Sequence, residues 1–379
     1  MAITNVARAS KVERDWLAEL DVRPVINAAA TLTALGGSLM PPEVRAAMES
    51  GARHFVDLRE LQRKVGERIA EMTHNEAAYV ASGAAAGIAL AVAASMTGTD
   101  QARIDALPNT SGFARNEVII QRVQRNGYDF SARMTGAKMI EIENTEEALE
   151  EAISDRTAAI LWFAGGHFGP DALPIEQVIA IGRRHGVTVI VDAAAQIPLI
   201  SNLWHFTRDL GADVSVFSGG KGLRGPQPSG LVLGRADLIE AVRANSSPNH
   251  SMGRPFKVGK EELLACLAAV EWSLAQDEEA VIAGYEETVR LWIDGLRDLP
   301  GVVVERGFPS EAGQPYGRAI VTLEDGARLD RDALHDALWD RNPRIAVSKL
   351  GERQVALNPQ TLEPGEAEIV LAAIRELLS

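Results

Sequence analysis

Short apolar runs alternate along the middle of the chain with longer segments that carry apolar residues at helical spacing. We predict strands over residues 77–80, 117–121, 139–142, 158–163, 187–191, 212–217 and 230–234. Helices are predicted between them, over residues 58–73, 84–96, 145–153, 175–185 and 237–244. Continuous apolar strands that alternate with helices are typical of a mostly parallel sheet covered by helices on both faces. The pattern therefore predicts an α/β fold.

The two ends of the chain follow other patterns. Residues 1–24 predict a helical arm, whose apolar face carries Val12, Trp16, Leu17 and Leu20. A loop-like stretch and a helix over residues 43–50 follow. Beyond residue 260 we predict helices over 261–274, 278–296, 331–341 and 364–378, with strands over 302–305, 318–322 and 354–357. We therefore expect an arm and loop over 1–50, a large α/β domain over 51–260 and a small α+β domain over 261–379.

Composition narrows the possible partners and compartments. The 379 residues carry a formal net charge of −14, which disfavours a general nucleic-acid binder because phosphate neutralisation requires a basic face. No apolar run is long enough for a transmembrane helix, and residues 1–16 lack the apolar segment of a signal peptide. Cys266 is the only cysteine, which excludes an internal disulfide and fits a reducing compartment. We expect a cytoplasmic protein with neither a nucleic-acid nor a membrane partner.

Lys221 stands in an unusual local context. The apolar strand over residues 212–217 ends in Ser218, and glycines flank the lysine on both sides. Glycines permit a sharp backbone turn. Burial at the end of a strand lowers the pKa of a lysine and makes its neutral amine available as a nucleophile. The alternative for such a residue is an ordinary solvated lysine in a surface loop.

Three further polar residues follow predicted strands in the same way. They are Ser82, His167 and Asp192, and ligands of parallel sheets bind beyond the carboxyl ends of the strands. Ser82 also precedes an alanine-rich helix, and a helix N-terminus attracts anions. Asp192 lies one βαβ unit before Lys221, so the two side chains can occupy neighbouring strand ends. A simple buried ion pair between them is the alternative.

Together these residues meet the three requirements of a pyridoxal 5'-phosphate (PLP) site. Such a site needs a lysine for the Schiff base, a carboxylate that keeps the pyridine nitrogen protonated, and a phosphate pocket. A dinucleotide site is disfavoured because the GKGLRG stretch at 220–225 leads into prolines and a strand rather than a helix. The seven histidines have no ligand spacing, so we predict no metal.

Several longer stretches connect the chain to a known family. They are VINAAATLTALGGS (25–38), VASGAAAGIALAVAASMTG (80–98), QRVQRNGYDF (121–130), VIVDAAAQIPL (189–199), FSGGKGLRGPQPSGLVLGR (217–235) and GRPFKVGKEE (253–262). In these stretches the chain resembles the fold-type-I PLP enzymes of the bacterial selenocysteine synthase-like group, which includes D-glucosaminate-6-phosphate ammonia-lyase. The resemblance covers roughly residues 22–275 well. It implies a mostly parallel, seven-stranded sheet with a smaller C-terminal domain, and a homodimer or higher homo-oligomer.

The resemblance also implies roles for the cofactor-binding residues. Lys221 would form the Schiff base and Asp192 would pair with the pyridine nitrogen. The phosphate would be held by Ser82, Gly83 and Ala84, together with Ser218. Gln124 stands where we expect a histidine over the cofactor ring. Glutamine stacks less well than histidine and cannot act as a base.

On the substrate side, the resemblance implies anion binding by Arg254 and places His167 near the cofactor or the substrate. The alternatives are a surface arginine at a subunit contact and a loop histidine without a catalytic role. Thr31 is a further substrate-binding candidate, in the Ala29-Ala30-Thr31 sequence where the family has Ala-Gly-Thr.

We expect a PLP-dependent lyase that acts at Cα of a small amino acid or amino sugar acid. α,β-Elimination of the ammonia-lyase or dehydratase type is the first expectation, and racemisation or epimerisation on the same scaffold is the second. A selenocysteine synthase-like transferase is disfavoured, because only a short arm precedes Arg23 where that enzyme carries a tRNA-binding domain. A non-catalytic assembly module is the remaining alternative, and the intact Lys221 and Asp192 argue against it.

Overall fold

The chain forms two compact units. The structure, a computed structural model, describes residues 14–379, apart from the side chain of His167. The small unit comprises residues 14–29, 288–306 and 319–379, and the large unit comprises residues 30–287 and 307–318.

Helices and strands are numbered in chain order. The helices are α1 (Trp16–Glu19), α2 (Pro42–Ala52), α3 (Leu58–Met72), α4 (Ala84–Thr97), α5 (Gln101–Ala106), α6 (Phe130–Arg133), α7 (Glu146–Ala152), α8 (Ile175–His185), α9 (Asn202–Trp204), α10 (Ala236–Ala244), α11 (Lys260–Leu274), α12 (Glu278–Leu296), α13 (Arg331–Trp339) and α14 (Glu366–Leu378). The strands are β1 (Val25–Ala28), β2 (Ala77–Ala81), β3 (Glu117–Gln121), β4 (Lys138–Ile142), β5 (Thr157–Phe163), β6 (Thr188–Asp192), β7 (Val214–Ser218), β8 (Gly230–Gly234), β9 (Val302–Gly307), β10 (Arg318–Leu323), β11 (Arg344–Leu350) and β12 (Gln354–Leu357).

The large unit is built on a seven-stranded sheet with the strand order β2-β8-β7-β6-β5-β3-β4. Neighbouring strands from β7 to β4 are parallel, and only β8 runs antiparallel to its two neighbours. The predicted α/β fold with a mostly parallel seven-stranded sheet is therefore confirmed. Because β2 and β7 are both antiparallel to β8, all strands except β8 end at the same edge of the sheet.

Alternate residues of the central strands pack on opposite faces of this sheet. In β6, Val189 and Val191 belong to one apolar cluster and Ile190 belongs to the other. In β8, Leu231 and Leu233 face the first cluster. Both faces of these central strands are buried in apolar clusters, which explains why the strands are continuous apolar runs instead of alternating ones.

The small unit contains a five-stranded sheet with the strand order β1-β11-β12-β10-β9. Strand β1 is parallel to β11, whereas β12 is antiparallel to both β11 and β10. The core of this unit includes the fully buried Trp292, whose indole N–H donates to the Ala367 carbonyl at 3.0 Å.

The boundaries between the two units differ from the predicted domain boundaries, which lie after residues 50 and 260. Helix α11, which we assigned to the small domain, belongs to the large unit because it packs against α2 and α3. Strand β1, which we assigned to the N-terminal arm and loop, belongs to the small unit because it pairs with β11. Residues 307–318 return to the large unit from within the predicted small domain.

Two further expectations for the ends of the chain need correction. The loop-like stretch after residue 24 begins with strand β1, and β11 was not predicted, because the two strands pair across more than 300 residues. In residues 14–24, the part of the predicted arm that the structure describes, the helix is the single turn α1, in which Trp16 and Leu17 are exposed, as is Leu20 beyond it. Val12 lies outside the described residues. Among residues 14–379, no helix has the length and apolar character needed to cross a bilayer.

Candidate active site

Four predicted site residues of the large unit, Ser82, Asp192, Ser218 and Lys221, lie at the carboxyl edge of its sheet. Ser82 directly follows β2, Asp192 is the last residue of β6, and Ser218 is the last residue of β7. The strand register pairs Ser218 and Ala81 with the same residue of β8, Gly230, from its two sides. Lys221 lies in the turn that follows β7. Topology alone thus brings these residues to one edge.

The turn between β2 and α4 forms an open anion cradle. Gly83 is the N-cap of α4 with φ 122° and ψ 165°, a conformation that is essentially restricted to glycine. No side chain caps this helix, and a Cβ built on Gly83 would have no atom within 4 Å. Gly230 permits the close approach of this turn, because a Cβ on Gly230 would lie 2.6 Å from the Gly83 carbonyl carbon. The first amides of α4 therefore remain available to an anion.

Asp192 is a buried carboxylate without a cationic hydrogen-bond partner among the described side chains. It is 7% exposed, and its Oδ1 accepts a hydrogen bond from the Ala194 amide at 3.0 Å. Burial raises the pKa of its carboxyl group to about 6, although the Ala194 amide and the charge of Lys221 act in the opposite direction. A cationic group placed beside Asp192 would lower this pKa and restore the carboxylate.

Lys221 is largely withdrawn from water. Burial lowers the pKa of its amine, and the negative charges of Asp192 and Glu311 partly oppose that shift. Its backbone is held by the segment before α2, since the Ser38 hydroxyl donates to the Lys221 carbonyl at 2.7 Å. The Ser38 amide also donates to the Gly220 carbonyl at 3.1 Å. The lysine therefore stands in a braced turn, as a nucleophile or base requires.

Residues 307–318 also reach this edge of the sheet, although they lie within the predicted small domain. The Gln314 side chain donates to the Ala195 carbonyl at 3.0 Å, and the Gln196 side chain donates to the Ala312 carbonyl at 2.8 Å. These bonds fix the segment against the residues that follow Asp192 and place Glu311 within electrostatic reach of Lys221. Glu311 lies in no quoted motif, and Ser38 ends the stretch 25–38, but neither periodicity nor composition indicates that these two residues lie near Lys221.

Gln124 is 1% exposed and is hydrogen-bonded on both sides of its amide. Its Nε2 donates to the Phe163 carbonyl at 2.9 Å, and its Oε1 accepts from the Phe163 amide at 3.2 Å. Gln124 thereby joins the segment after β3 to the end of β5. The structure gives this side chain a bracing contact, whereas its predicted place over a cofactor ring stays a prediction.

Three other predicted site residues differ in their surroundings. Thr31 is 6% exposed in the large unit. Arg254 begins a short 3₁₀ turn, Arg254–Phe256, and its exposed guanidinium makes no hydrogen bond or ion pair with the described residues. His167 lies in the 3₁₀ turn Gly166–Phe168 after β5, and its side chain is outside the described part of the structure. The roles of these three residues stay predictions.

The residues present at this edge fit PLP. The uncapped N-terminus of α4, with open space over Gly83, suits a phosphate group. Asp192 is a buried carboxylate that still requires a cationic partner, such as a protonated pyridine nitrogen. Lys221 offers an amine whose pKa burial lowers. One group with a phosphate, a ring nitrogen and an aldehyde satisfies all three.

Comparison with known proteins agrees with the fold and with the cofactor. The class-V aminotransferase model matches residues 43–253, which is more than half of the chain, and the chain belongs to this family. It is a PLP-dependent enzyme of fold type I, and pyridoxal 5'-phosphate is its cofactor. The predicted family resemblance is confirmed.

Particular relatives are similar along almost the whole chain. The 5'-C-glycyluridine monooxygenase-decarboxylase of Streptomyces sp is 35% identical over 374 residues, which cover 95% of this chain and 91% of the relative. D-glucosaminate-6-phosphate ammonia lyase of Salmonella typhimurium is 31% identical over 372 residues, covering 95% and 96%. A solved structure of D-glucosaminate-6-phosphate ammonia-lyase superposes with a TM-score of 0.83 at 28% identity, covering 97% of this chain and 98% of that one.

Proposed function

We propose that this enzyme catalyses α,β-elimination from an amino acid or amino sugar acid that carries a hydroxyl group on Cβ, with release of ammonia. The observation that carries the proposal is the placement of Lys221 and the buried Asp192 at the ends of adjoining strands, where their charges interact. The ammonia lyase that is 31% identical over nearly the full length of both chains supports it.

Each residue of the site has a defined task in this reaction. PLP, when bound, supplies the electron sink for chemistry at Cα. Asp192 holds a proton at the pyridine nitrogen, and the amides after Ser82 with the Ser218 hydroxyl bind the phosphate. Lys221, whose pKa is lowered by burial, takes the Cα proton as a general base. Glu311 lies within electrostatic reach of Lys221, and its negative charge favours the protonated amine.

The net change is balanced without a further reactant. The Cα–H bond and the Cβ–O bond break, and the departing hydroxide leaves as water after it accepts a proton. The resulting enamine tautomerises to an imine, which adds that equivalent of water and yields a 2-keto acid and ammonia. No oxidant or reductant is consumed.

A second candidate is an oxygen-dependent decarboxylation of a glycyl nucleoside. The 35% identity to the 5'-C-glycyluridine monooxygenase-decarboxylase over 95% of this chain favours it. Both candidate reactions begin with the same two residues. In either case Lys221 creates negative charge at Cα, and Asp192 stabilises that charge through the pyridine nitrogen. They differ in their products: ammonia and a keto acid in one case, carbon dioxide with uptake of oxygen in the other.

The holoenzyme should therefore be assayed against D- and L-β-hydroxy amino acids, amino sugar acids with and without a terminal phosphate, and glycyl nucleosides. Ammonia and a 2-keto acid in equal amounts, without oxygen uptake, support elimination. Oxygen uptake with carbon dioxide release would instead establish the second candidate. Exchange of the Cα hydrogen with solvent deuterium and no other product would contradict both and indicate a racemase or epimerase.

We propose also that the enzyme works as a homodimer or larger homo-oligomer in the cytoplasm. Exposed apolar side chains of the large unit support self-association, because Phe55 is fully exposed and Leu39 is 60% exposed. The single cysteine, Cys266, is buried and supports a reducing compartment. Light scattering should give a mass of at least twice the 40.7 kDa chain. A monomeric mass at micromolar concentration would contradict the assembly.

A further inference from the structure

The turn that carries Lys221 is closed by hydrogen bonds within its own backbone. We call residues 219–225 the Lys221 turn. The Gly225 amide donates to the Gly219 carbonyl at 2.8 Å, and the Arg224 amide donates to the Lys221 carbonyl at 2.9 Å. The place of the Lys221 amine therefore depends on the conformation of this turn as a whole.

Arg224 is the one residue of the Lys221 turn with a left-handed backbone, at φ 55°. That conformation is unfavourable for any residue with a Cβ, whereas glycine adopts it readily. The turn also contains four glycines, none of which has a positive φ. They allow close packing instead, since a Cβ on any of them would lie 3.0 Å or less from a neighbouring atom. An arginine at the position best suited to glycine indicates that its side chain has a task.

The Arg224 side chain ties the Lys221 turn to the segment before α2. Its Nε donates to the Leu39 carbonyl at 2.7 Å. The preceding residue, Ser38, is bonded near the other end of the turn, because its amide and its hydroxyl both donate to the Gly220 carbonyl at 3.1 Å. Two consecutive residues thus hold the turn at both ends. Neither end can shift relative to the other unless one of these bonds breaks.

Helix α11 supports the guanidinium of Arg224. The central guanidinium carbon lies 5.6 Å from the centroid of the Trp272 ring, which is a cation–π contact. The next residue of α11, Ser273, donates its hydroxyl to the Leu223 carbonyl of the turn at 3.3 Å. We propose that Arg224 is a positioning residue, whose guanidinium fixes the Lys221 turn so that the lysine amine meets the aldehyde of PLP. The proposal rests on the assignment of Lys221 as the residue that binds the cofactor.

The step that Arg224 serves is the covalent attachment of the cofactor. The Lys221 nitrogen adds to the aldehyde carbon of PLP, and one water leaves as the carbon–nitrogen double bond forms. No oxidant or reductant is needed. The rate depends on how well the nitrogen is placed, since a misplacement of about 1 Å can cost about 10²-fold. The Ser38 bonds remain when the Arg224 side chain is removed, so we expect a smaller loss of about tenfold.

Two variants test the proposal through the rate of attachment. Arg224→Ala removes the guanidinium, and Arg224→Gly removes it while also accepting the left-handed backbone. PLP is added to each apoenzyme, and the visible absorbance of the bound cofactor is followed with time. Both variants should attach PLP about tenfold more slowly than the wild type. A rate within twofold of the wild type in Arg224→Gly, which carries no backbone strain at this position, would overturn the proposal.

Arg208→Ala is the matched control for the loss of an arginine. The Arg208 guanidinium lies over the Trp204 ring at the same distance of 5.6 Å, but its Nε donates to Asp209 at 2.7 Å instead of to the segment before α2. This variant should attach PLP at the rate of the wild type. An equal slowing in Arg208→Ala would contradict a specific role of Arg224.

A second measurement separates positioning of the amine from shaping of the whole pocket. In a Lys221→Ala background PLP binds without covalent attachment, and adding Arg224→Ala should leave that affinity, measured by fluorescence titration, unchanged within twofold. A tenfold weaker affinity would show that Arg224 supports the pocket in general and would overturn the positioning role. A pyridoxyl group found on another lysine of the wild type would instead overturn the assignment of Lys221, so the two failures are distinguishable.

Discussion

A buried carboxylate lies at each end of the strands of the seven-stranded sheet, and the pKa values of the two are shifted in opposite directions. Glu117, at the start of β3, and Asp192, at the end of β6, are each 7% exposed. Glu117 pairs with Lys138 at 3.0 Å and with Arg156 at 3.3 Å. Burial opposes its ionisation, but the two cations outweigh burial and lower its pKa. Asp192 has only a backbone donor, and burial raises its pKa to about 6.

An equal exposed fraction therefore does not decide what a carboxylate does. At the amino edge the fold supplies its own cations, and the carboxylate stabilises the sheet. At the carboxyl edge no described cationic side chain is hydrogen-bonded to Asp192. A cationic group from outside the chain can therefore bind to this carboxylate. Unsatisfied groups of this kind cost stability and are concentrated where proteins bind cofactors and substrates.

Asp192→Asn should have the largest effect on activity. The amide cannot hold a proton at the pyridine nitrogen, so kcat/KM should fall at least about 10²-fold. The apoenzyme should at the same time gain stability at neutral pH, because the buried charge is gone. Activity within a factor of two of the wild type would contradict the assigned role of Asp192.

The raised pKa of Asp192 also predicts the direction in which apoenzyme stability changes with pH. The Asp192 pKa is about 6 in the folded state and about 3.9 in the unfolded chain. Between these values the folded state binds more protons, so the free energy of unfolding falls as pH rises, by up to about 3 kcal/mol. Urea titrations should show the Asn variant more stable than the wild type at pH 8 and equal to it near pH 4.

Gly83→Ala should affect the cofactor more than the fold. Its φ of 122° is unfavourable for any residue with a Cβ, and the strain costs about 1–3 kcal/mol. The added methyl group also enters the open space of the cradle, so PLP affinity should fall about 10–100-fold. Fluorescence titration of the apoenzyme measures it. Gly112→Ala is the matched control, because a Cβ there meets no atom within 4 Å and its φ is not positive.

Glu117→Gln should have the smallest effect on activity and a measurable effect on stability. Losing both ion pairs should cost about 1–3 kcal/mol at pH 7, less than for a fully buried pair because Lys138 and Arg156 are half exposed. Since the Glu117 pKa is lowered, this stabilisation is present above the unfolded value and is lost as pH falls below about 4. A loss of activity larger than twofold would contradict the conclusion that Glu117, unlike Asp192, serves only the stability of the sheet.

The sheet of the large unit and two members of the site were predictable because their signals are local. Each strand is an apolar run bounded by polar or glycine residues, and Asp192 and Lys221 stand directly at the ends of such runs. The turn from Ser82 to Ala84 was predictable for the same reason, since an alanine-rich helix follows it at once.

Features that depend on contacts between distant residues were not predictable. Strand β1 is defined by its pairing with β11 more than 300 residues later, and α11 joins the large unit only through its packing on α2. Ser38 and Gln314 act through bonds to backbone carbonyls on other segments. Gln124 has a pair of bonds to Phe163 that no pattern within its own segment indicates.

The central claim is that Lys221 is the residue that binds the cofactor covalently. Borohydride reduction of the holoenzyme, followed by proteolysis and mass spectrometry, tests it most directly. The pyridoxyl group should be found on Lys221, and Lys221→Ala should lose both the label and the visible absorbance of the bound cofactor, whereas Lys64→Ala, an exposed lysine of α3, should keep both. A label on any other lysine, or an unlabelled Lys221 in active holoenzyme, would contradict the claim.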